Sequence, residues 1–529
     1  MWAIVFWVLA ALVAIGYTVY KYFGGNDDYW TKLGVPSLKS GELATFWERI
    51  TLKVSFMEYD TLMYNHFKGQ KFFGLVEFRE PAVYIRDLDL MKQILVKDFD
   101  HFVDRRQINS GKEDMFAKML IQRTGKEWKD LRSVMSPTFT TGKIKRMFTY
   151  FNTCADQFAH HLKKRGETGD IVNFQDEFGK FTVSAIASIV FGLQPDVFEN
   201  ENSLFMKMVK RMQSTRYIQV IKVILLIAVP KIAKVLRLSF SDKPSTDFFS
   251  SIIEKTIEQR RVEGLEKRQD FLQMMLEAQA GQISKVDEKE LDSFEKDALL
   301  KETTGTGKKD LAVVLDDGTV VAQAILFFGA GLDTVQTALT FAAYELAVNQ
   351  DVQERLVEEV VPIMEKNNGG LTYESVNEMQ YLDMVVSETL RKDSPAFLTE
   401  RECTSDYKIP DTEIIIKKGM RVVIPIHSIH NDEQYYPEAE KFNPERFNAE
   451  NKAKRNPYAY LPFGQGPRNC IAMRFALTET KAAIAHLVYN FKIEPCEKTQ
   501  IPMTRSPKSG RPENCWLKFQ PRKANATDN

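Results

Sequence analysis

The sequence has no surplus charge of either sign, with 71 basic against 71 acidic side chains in 529 residues. That balance excludes a broad nucleic-acid surface, which binds by releasing counterions to a basic face. Cysteine is scarce: Cys154, Cys403, Cys470, Cys496 and Cys515 are the five, with neither a C-x-x-C nor a paired spacing. A disulfide scaffold is therefore excluded, and the odd set fits a chain facing a reducing compartment. Neither G-x-G-x-x-G nor G-x-x-x-x-G-K-[ST] occurs, and no internal repeat is visible. Low hydrophobicity is also absent, since 44% of residues are apolar and 36 are Phe, which excludes disorder and collagen-like fibre. What remains is a large enzyme-sized globule whose aromatic interior has room for a bulky planar ligand.

Long uncharged runs are rare too. One, Trp2 to Tyr20, holds no charge, and at 1.5 Å per residue it reaches roughly 28 Å as a helix, close to the hydrocarbon thickness. A cleaved signal peptide would want basic residues before the run and small residues after it; here the basic residues Lys21 and Lys32 follow. The expectation is an uncleaved single-pass anchor over 1–22 with the body cytoplasmic, a linker over 23–40 and one catalytic domain over 41–529. A second apolar stretch, Ile218 to Leu238, is broken by Lys222, Pro230, Lys231, Lys234 and Arg237. It reads either as two short helices with basic residues among lipid headgroups or as a buried helix pair.

Most of the remainder has helical periodicity, with amphipathic helices expected over Lys143–Lys164, Phe174–Phe191, Asp247–Ala280, Val320–Val348 and Ile471–Phe491. Strand-like pieces are short: Phe72–Phe78, Ala82–Ile85, Glu413–Ile416 and Arg421–Ile426. The fold class is mainly α with a small β part. Lys285–Asp310 reads as an exposed, charged connector, and Asn525 opens a glycosylation sequon by pattern only.

The chemistry concentrates in Phe463-Gly-Gln-Gly-Pro-Arg-Asn-Cys470, a glycine-rich loop before a helical run. A loop entering a helix amino end collects N–H groups, which favour thiolate over thiol at Cys470. The residues alone leave open a metal ligand, a nucleophile or a plain loop cysteine. Glu388 and Arg391, three apart, share a helix face, and Arg446 in Phe442–Phe447 offers a second cation. Ala330-Gly331-Leu332-Asp333-Thr334 puts a Gly, an acid and a hydroxyl into an apolar helix, where an acid needs a partner or a job. Trp128 and Arg132, four apart, present an indole N–H and a guanidinium together.

These motifs, W-x-x-x-R, A-G-x-D-T, E-x-x-R, P-E-R-F and F-x-x-G-x-R-x-C, follow one another in the order found in the cytochrome P450 haem-thiolate monooxygenases, which the chain resembles over essentially its whole length. Ser136–Thr140 and Arg401-Glu402-Cys403 resemble the microsomal branch of vertebrate drug-metabolising and insect detoxification enzymes. The resemblance implies the cytochrome P450 fold with an N-terminal single transmembrane anchor, haem b as cofactor and insertion of one oxygen atom into a lipophilic small molecule. Cys470 matches the proximal iron ligand, whose thiolate favours O–O cleavage, and Phe463 the aromatic that shields it. Arg468, Trp128, Arg132, Arg401 and, more faintly, Arg105 match residues that hold the haem propionates. Asp333 and Thr334 match the acid–alcohol pair that relays protons, with Gly331 opening a kink. Ala330 and Phe327 would line the substrate pocket, Phe327 also serving core packing.

Three departures stand out: Ala472 for the usual Gly, Val335 for a second hydroxyl, and Asp393-Ser394-Pro395 after E-x-x-R. With no flavin motif of its own, the chain would draw electrons from NADPH through the membrane-bound NADPH–cytochrome P450 reductase, with cytochrome b5 as a second donor. Lys143, Lys145, Arg146, Lys452, Lys454 and Arg455 offer a basic docking face. The implied location is the endoplasmic reticulum membrane, catalytic domain on the cytoplasmic side. Competing readings are a haem-thiolate peroxide isomerase or dehydratase, against which the Asp333–Thr334 pair argues, and a non-catalytic haem or ligand carrier.

Overall fold

Residues spaced by three and four build helices along most of the chain, and β-branched and aromatic runs supply short strands. The structure, a computed structural model, describes residues 28–38, 51–77, 80–108, 114–166, 171–214, 217–262, 270–280 and 315–522, together with Trp7, Glu42, Leu43 and Glu48. The expected anchor helix apart from Trp7, the connector over Lys285–Asp310 and the Asn525 sequon lie outside the described residues. In chain order the elements used below begin with α1 (Phe56–His66), β1 (Phe72–Glu77), β2 (Glu80–Ile85), α2 (Gly125–Met135), α3 (Thr141–Gly166), β3 (Ile171–Asn173) and α4 (Phe174–Phe191). Then come α5 (Leu204–Gln213), α6 (Tyr217–Ala228), α7 (Pro230–Val235), α8 (Lys243–Val262), α9 (Phe271–Gln279) and α10 (Asp317–Val348). The last are α11 (Gln350–Lys366), α12 (Gln380–Lys392), β4 (Thr399–Glu402), β5 (Tyr407–Lys408), β6 (Ile415–Ile416), β7 (Arg421–Ile424), α13 (Met473–Asn490), β8 (Phe491–Pro495) and β9 (Trp516–Pro521).

Two compact units divide these elements. The first joins the chain up to Arg106 with Phe397–Ile429 and contains a sheet in the order β1-β2-β7-β4, in which only β2 and β7 run parallel. Its core is aromatic: Phe73 stacks between Phe67 at 4.2 Å and Tyr84 at 4.8 Å. Within the expected linker, Trp30 is fully buried and donates Nε1 to the Leu75 carbonyl at 3.0 Å. Gly74 is the residue that admits it, since a Cβ there would lie 2.1 Å from the indole. Asp60 on α1 is buried, its carboxyl pushed up to about 7 by desolvation while Ser428 Oγ donates to it at 2.9 Å.

The second unit, residues 107–396 and 430–529, is built around α10. This 32-residue helix starts at an Asp316 cap, is long and apolar enough to cross a membrane, and spends that apolarity on the core, packing chiefly on α4 and also on α13, α8 and α12. A small antiparallel sheet, β3-β9-β8, closes one side, tied on by Gln353, which exchanges bonds with the Ile493 N–H and carbonyl at 3.0 and 2.8 Å.

One expected element divides. Asp247–Ala280 is not a single helix: α8 ends at Val262 and α9 begins at Phe271. The cause is Asp270, fully buried, whose Oδ1 caps Gln273 N–H at 2.9 Å and whose two oxygens take both ends of the Arg260 guanidinium at 2.7 Å. Ile218–Leu238 does form two short helices, α6 and α7.

At the end of α12 Arg391 is fully buried and uses all five N–H groups, on both oxygens of Glu388 at 2.7 and 2.9 Å, the His430 and Ala439 carbonyls, and Asn431. Glu388 in turn accepts the Asn443 N–H at 2.9 Å and stands 3.4 Å from Arg446 Nε. Glu388→Gln leaves Arg391 buried beside a neutral partner, so we expect a loss of about 3–5 kcal/mol, read as a lowered denaturation midpoint and folded yield. Lys441→Ala, which breaks an exposed pair with Glu438, is expected to leave the midpoint where it was.

Candidate active site

Of the five cysteines, Cys470 is the exposed one. Burial pushes the Cys403 thiol up to about 11 and raises those of Cys154 and Cys515, and Cys403 Sγ is bonded to the Ser405 carbonyl at 2.9 Å. Cys496 is half-buried with its Sγ on the Trp516 carbonyl at 3.6 Å, so soft-metal chemistry, which needs an available thiolate, falls to Cys470. Among the described residues no three His, Cys, Asp or Glu side chains gather as a metal cage. A single protein thiolate suits a metal that brings its remaining ligands with it.

The loop that carries Cys470 is shaped by its backbone. Gly464 and Gly466 take φ of +71° and +79°, which only glycine adopts without strain, and the Cys470 N–H closes back on the Phe463 carbonyl at 2.9 Å. Three residues later α13 begins, so its unpaired N–H groups and dipole lie beside the thiol. Arg132 on α2 grips the neighbouring residue, donating Nη1 to the Asn469 carbonyl at 3.0 Å and Nη2 to Asn469 Oδ1 at 2.9 Å. Arg468, buried, lies 4.7 Å over the Trp128 ring and donates to the carbonyls of Ile121 and Arg123 at 3.4 and 2.7 Å. Trp128, Arg132, Arg468, Phe463 and Cys470 are thus brought together, with Asn469 as a joint that the sequence reading passed over. Arg401 and Arg105 belong to the other unit, where the Asp104–Glu402 bridge sets them side by side; Arg401 is fully buried and donates to Thr399 Oγ1 and the Glu400 carbonyl.

On α10 most residues are buried, yet mid-helix Ala330 and Thr334, one turn apart, are exposed. Thr334 Oγ1 donates to the Ala330 carbonyl at 2.8 Å, which leaves its lone pairs outward as acceptors. The helix continues through Gly331, and the missing Cβ serves packing there: one would sit 3.0 Å from Ile186 Cδ1 on α4. Asp333 faces another way and forms an ion pair with Arg511, Oδ1 to Nε 2.5 Å. Phe327 is held between Phe139 at 4.9 Å and Phe271 at 4.8 Å, a packing role.

The three departures acquire physical readings. Ala472 has φ −97°, a conformation that needs no glycine. Val335 is buried, off the exposed step. Asp393 pairs with Arg505, which also lies 4.4 Å over the Phe341 ring of α10. The expected basic face is smaller than its six residues: Arg455 is enclosed by Phe447, Tyr436 and Tyr460 and donates to the Arg446 carbonyl, while Lys454 pairs with Glu450 and Lys145 with Glu374.

Comparison with known proteins agrees in extent with this arrangement. The sequence model of the cytochrome P450 family matches residues 41–514. Cytochrome P450 9e2 of Blattella germanica is 37% identical over 513 residues, covering 94% of this chain and 93% of the relative. Cytochrome P450 3A9 of Rattus norvegicus is 34% identical over 503 residues (94% and 93%), and cytochrome P450 6a2 of Drosophila melanogaster 32% over 515 (95% and 97%).

Arg132→Ala removes both bonds to Asn469 and is expected to destabilise the protein by about 2 kcal/mol in urea denaturation. Arg132→Lys, a point donor unable to span both acceptors, is expected to recover less than half of that loss.

Proposed function

Because the chain belongs to the cytochrome P450 family, we propose that the Cys470 loop is the proximal haem site and the exposed step of α10 its distal wall. The chain is a haem-thiolate monooxygenase of lipophilic compounds that works with a redox partner. Cys470 carries the assignment of residues: it is the exposed thiol of the five, beside a helix amino end and among Arg132, Arg468 and Trp128. That donor set fits haem, with one thiolate for the iron and guanidinium groups for two carboxylates. Arg105 and Arg401, in the first unit, match the family's propionate-holding residues by sequence alone.

Haem supplies the iron at which molecular oxygen is bound and reduced. The chain's own part is to hold and supply. The turn at Gly464 and Gly466 aims the sulfur, the start of α13 favours its ionised form, and Phe463 would shield it from water once haem is held there. On the other side Thr334 Oγ offers lone pairs to a water or a substrate, and Asp333 is the acid from which protons are drawn. Ala330, small and exposed, leaves space for substrate.

The electrons come from NADPH through a separate reductase, with cytochrome b5 as a second donor, at a basic face reduced to Lys143, Arg146 and Lys452. The protein sits on the endoplasmic reticulum membrane, anchored by residues 1–22, with xenobiotics as substrates. Supporting membrane contact, α6 and α7 expose Ile218, Ile221, Ile232, Val235 and Leu236 beside Lys222, Lys231 and Lys234, an apolar surface edged by cations.

In the reduced carbon-monoxide difference spectrum the native protein is expected to show the strongly red-shifted Soret band of a thiolate-bound haem, lost in Cys470→Ser; the same band in the mutant overturns the assignment. With the reductase added, Thr334→Ala is expected to consume NADPH while forming several-fold less product per NADPH. Deleting residues 1–22 is expected to leave partial flotation with anionic vesicles, abolished by Val235→Glu with Leu236→Glu.

A further inference from the structure

We propose that Arg511 is a positioning residue that ties Asp333 to the carboxyl end of α5 and so sets the reach of the acid. The inference rests on the reading of Asp333 as the proton source. Arg511 meets two elements: Nε forms an ion pair with Asp333 Oδ1 on α10 at 2.5 Å, a close charge contact outside hydrogen-bond alignment, and Nη1 donates at 3.0 Å to the carbonyl of Gln213, the last residue of α5. A helix carboxyl end, with unpaired carbonyls and a negative dipole end, is a favourable place for that cation.

The contact does not stand alone. Gln213 Nε2 donates to Gln336 Oε1 at 3.0 Å, and Gln336 Nε2 donates to the Gln175 carbonyl at 2.7 Å, so the end of α5 is joined to α10 and α4 by a chain of amides. Gly179 makes room for that chain, since a Cβ there would come 2.9 Å from Gln336 Nε2. Arg511 is delivered by a tight turn: Arg505 bridges Pro512, Ser506 N–H bonds the Arg511 carbonyl at 2.8 Å, and Gly510 takes φ +69°. The base of that turn is pinned by Arg505 on Asp393 and over Phe341. With the base fixed, Arg511, one rung above it, is held in place where it meets Asp333.

Two consequences follow from the geometry. Asp333 is a quarter-turn from Thr334 along the helix, and while Arg511 holds it the carboxylate is kept on the α5 side. A displacement of the end of α5 therefore loosens the acid as well. Arg suits the role better than Lys, because its fork reaches two acceptors at once.

The test uses full-length haem-loaded protein with reductase and NADPH, reading hydrogen peroxide released per NADPH, and a denaturation-midpoint cycle of Arg511→Gln, Asp333→Asn and the double variant. We expect each single variant to raise peroxide release several-fold, Arg511→Lys to restore part of it, and Arg511→Gln to add nothing once Asp333 is Asn. The midpoint cycle should be non-additive. An Arg511→Gln effect of equal size in both backgrounds overturns the proposal, because Arg511 then acts elsewhere. An additive midpoint cycle overturns the ion pair itself. Unchanged peroxide release in Asp333→Asn beside a non-additive cycle overturns the proton-source reading and the positioning role with it, leaving a fold contact.

Discussion

The buried pair of Glu388 and Arg391 is the contact through which the rest of the second unit is registered. Two donors of Arg391 hold Glu388 and the other three end on chain after α12, at residues 430, 431 and 439, while Glu388 adds the Asn443 N–H. Those stretches carry no long regular element to hold them, so their positions derive from one guanidinium. His430, fixed in this way, accepts the Leu461 N–H through Nε2 at 2.7 Å, and the Leu461 carbonyl accepts from Gly464. The line of bonds thus runs from a fully desolvated ion pair to the first residues of the cysteine loop. Replacing one partner of such a pair costs more than the pair contributes, since the charge left behind has no solvent.

The parts legible in the sequence are those where periodicity and function coincide. Phe174–Phe191 matches its expected bounds, and α10 and α13 match within a few residues, because their apolar faces repeat over many turns. The cysteine loop was legible because glycine, arginine and cysteine are each demanded by a distinct physical need. Strand β4, Thr-Glu-Arg-Glu, was not, since nothing apolar alternates in it: its inward residue is Arg401, buried by antiparallel pairing with β7. The break at Asp270 was equally hidden, because an acid between two amphipathic stretches looks like a solvated residue until Arg260 is found beside it. Arg455 shows the reverse error, a cation expected at the surface that three aromatic rings enclose. In each case long-range partners, which no local pattern encodes, overrode the expectation.

The design of α10 sets a core requirement against a chemical one. A helix packed on most of its circumference must be apolar, and close packing on α4 asks for a small residue where Ile186 meets Gly331. Chemistry asks for a hydroxyl and an acid within the same turn. The two demands are reconciled by direction: Ala330 and Thr334 share the exposed line, and Asp333 is turned toward a cation rather than toward the core. A uniformly apolar helix would pack as well and offer no lone pairs; a more polar one would leave buried groups unsatisfied.

Arginine rather than lysine serves these junctions, and Glu345 shows why. Arg391, Arg260 and Arg132 each span two or more acceptors, so the acid or carbonyl they meet is satisfied along defined directions. Glu345, buried on α10, is met instead by Lys392 at 2.8 Å, and burial, reinforced by the nearby Asp393, still pushes its carboxyl up to about 7. An acid raised in this way keeps its proton in the folded chain after the unfolded chain has released it. Its contribution to stability therefore falls as pH rises from the ordinary carboxylate range through about 7. One ammonium and the Asn349 amide at 3.1 Å do not offset that desolvation, whereas Glu388 is served by a fork from Arg391 and a backbone N–H. Both glutamates are buried, and they differ in the geometry of their partners.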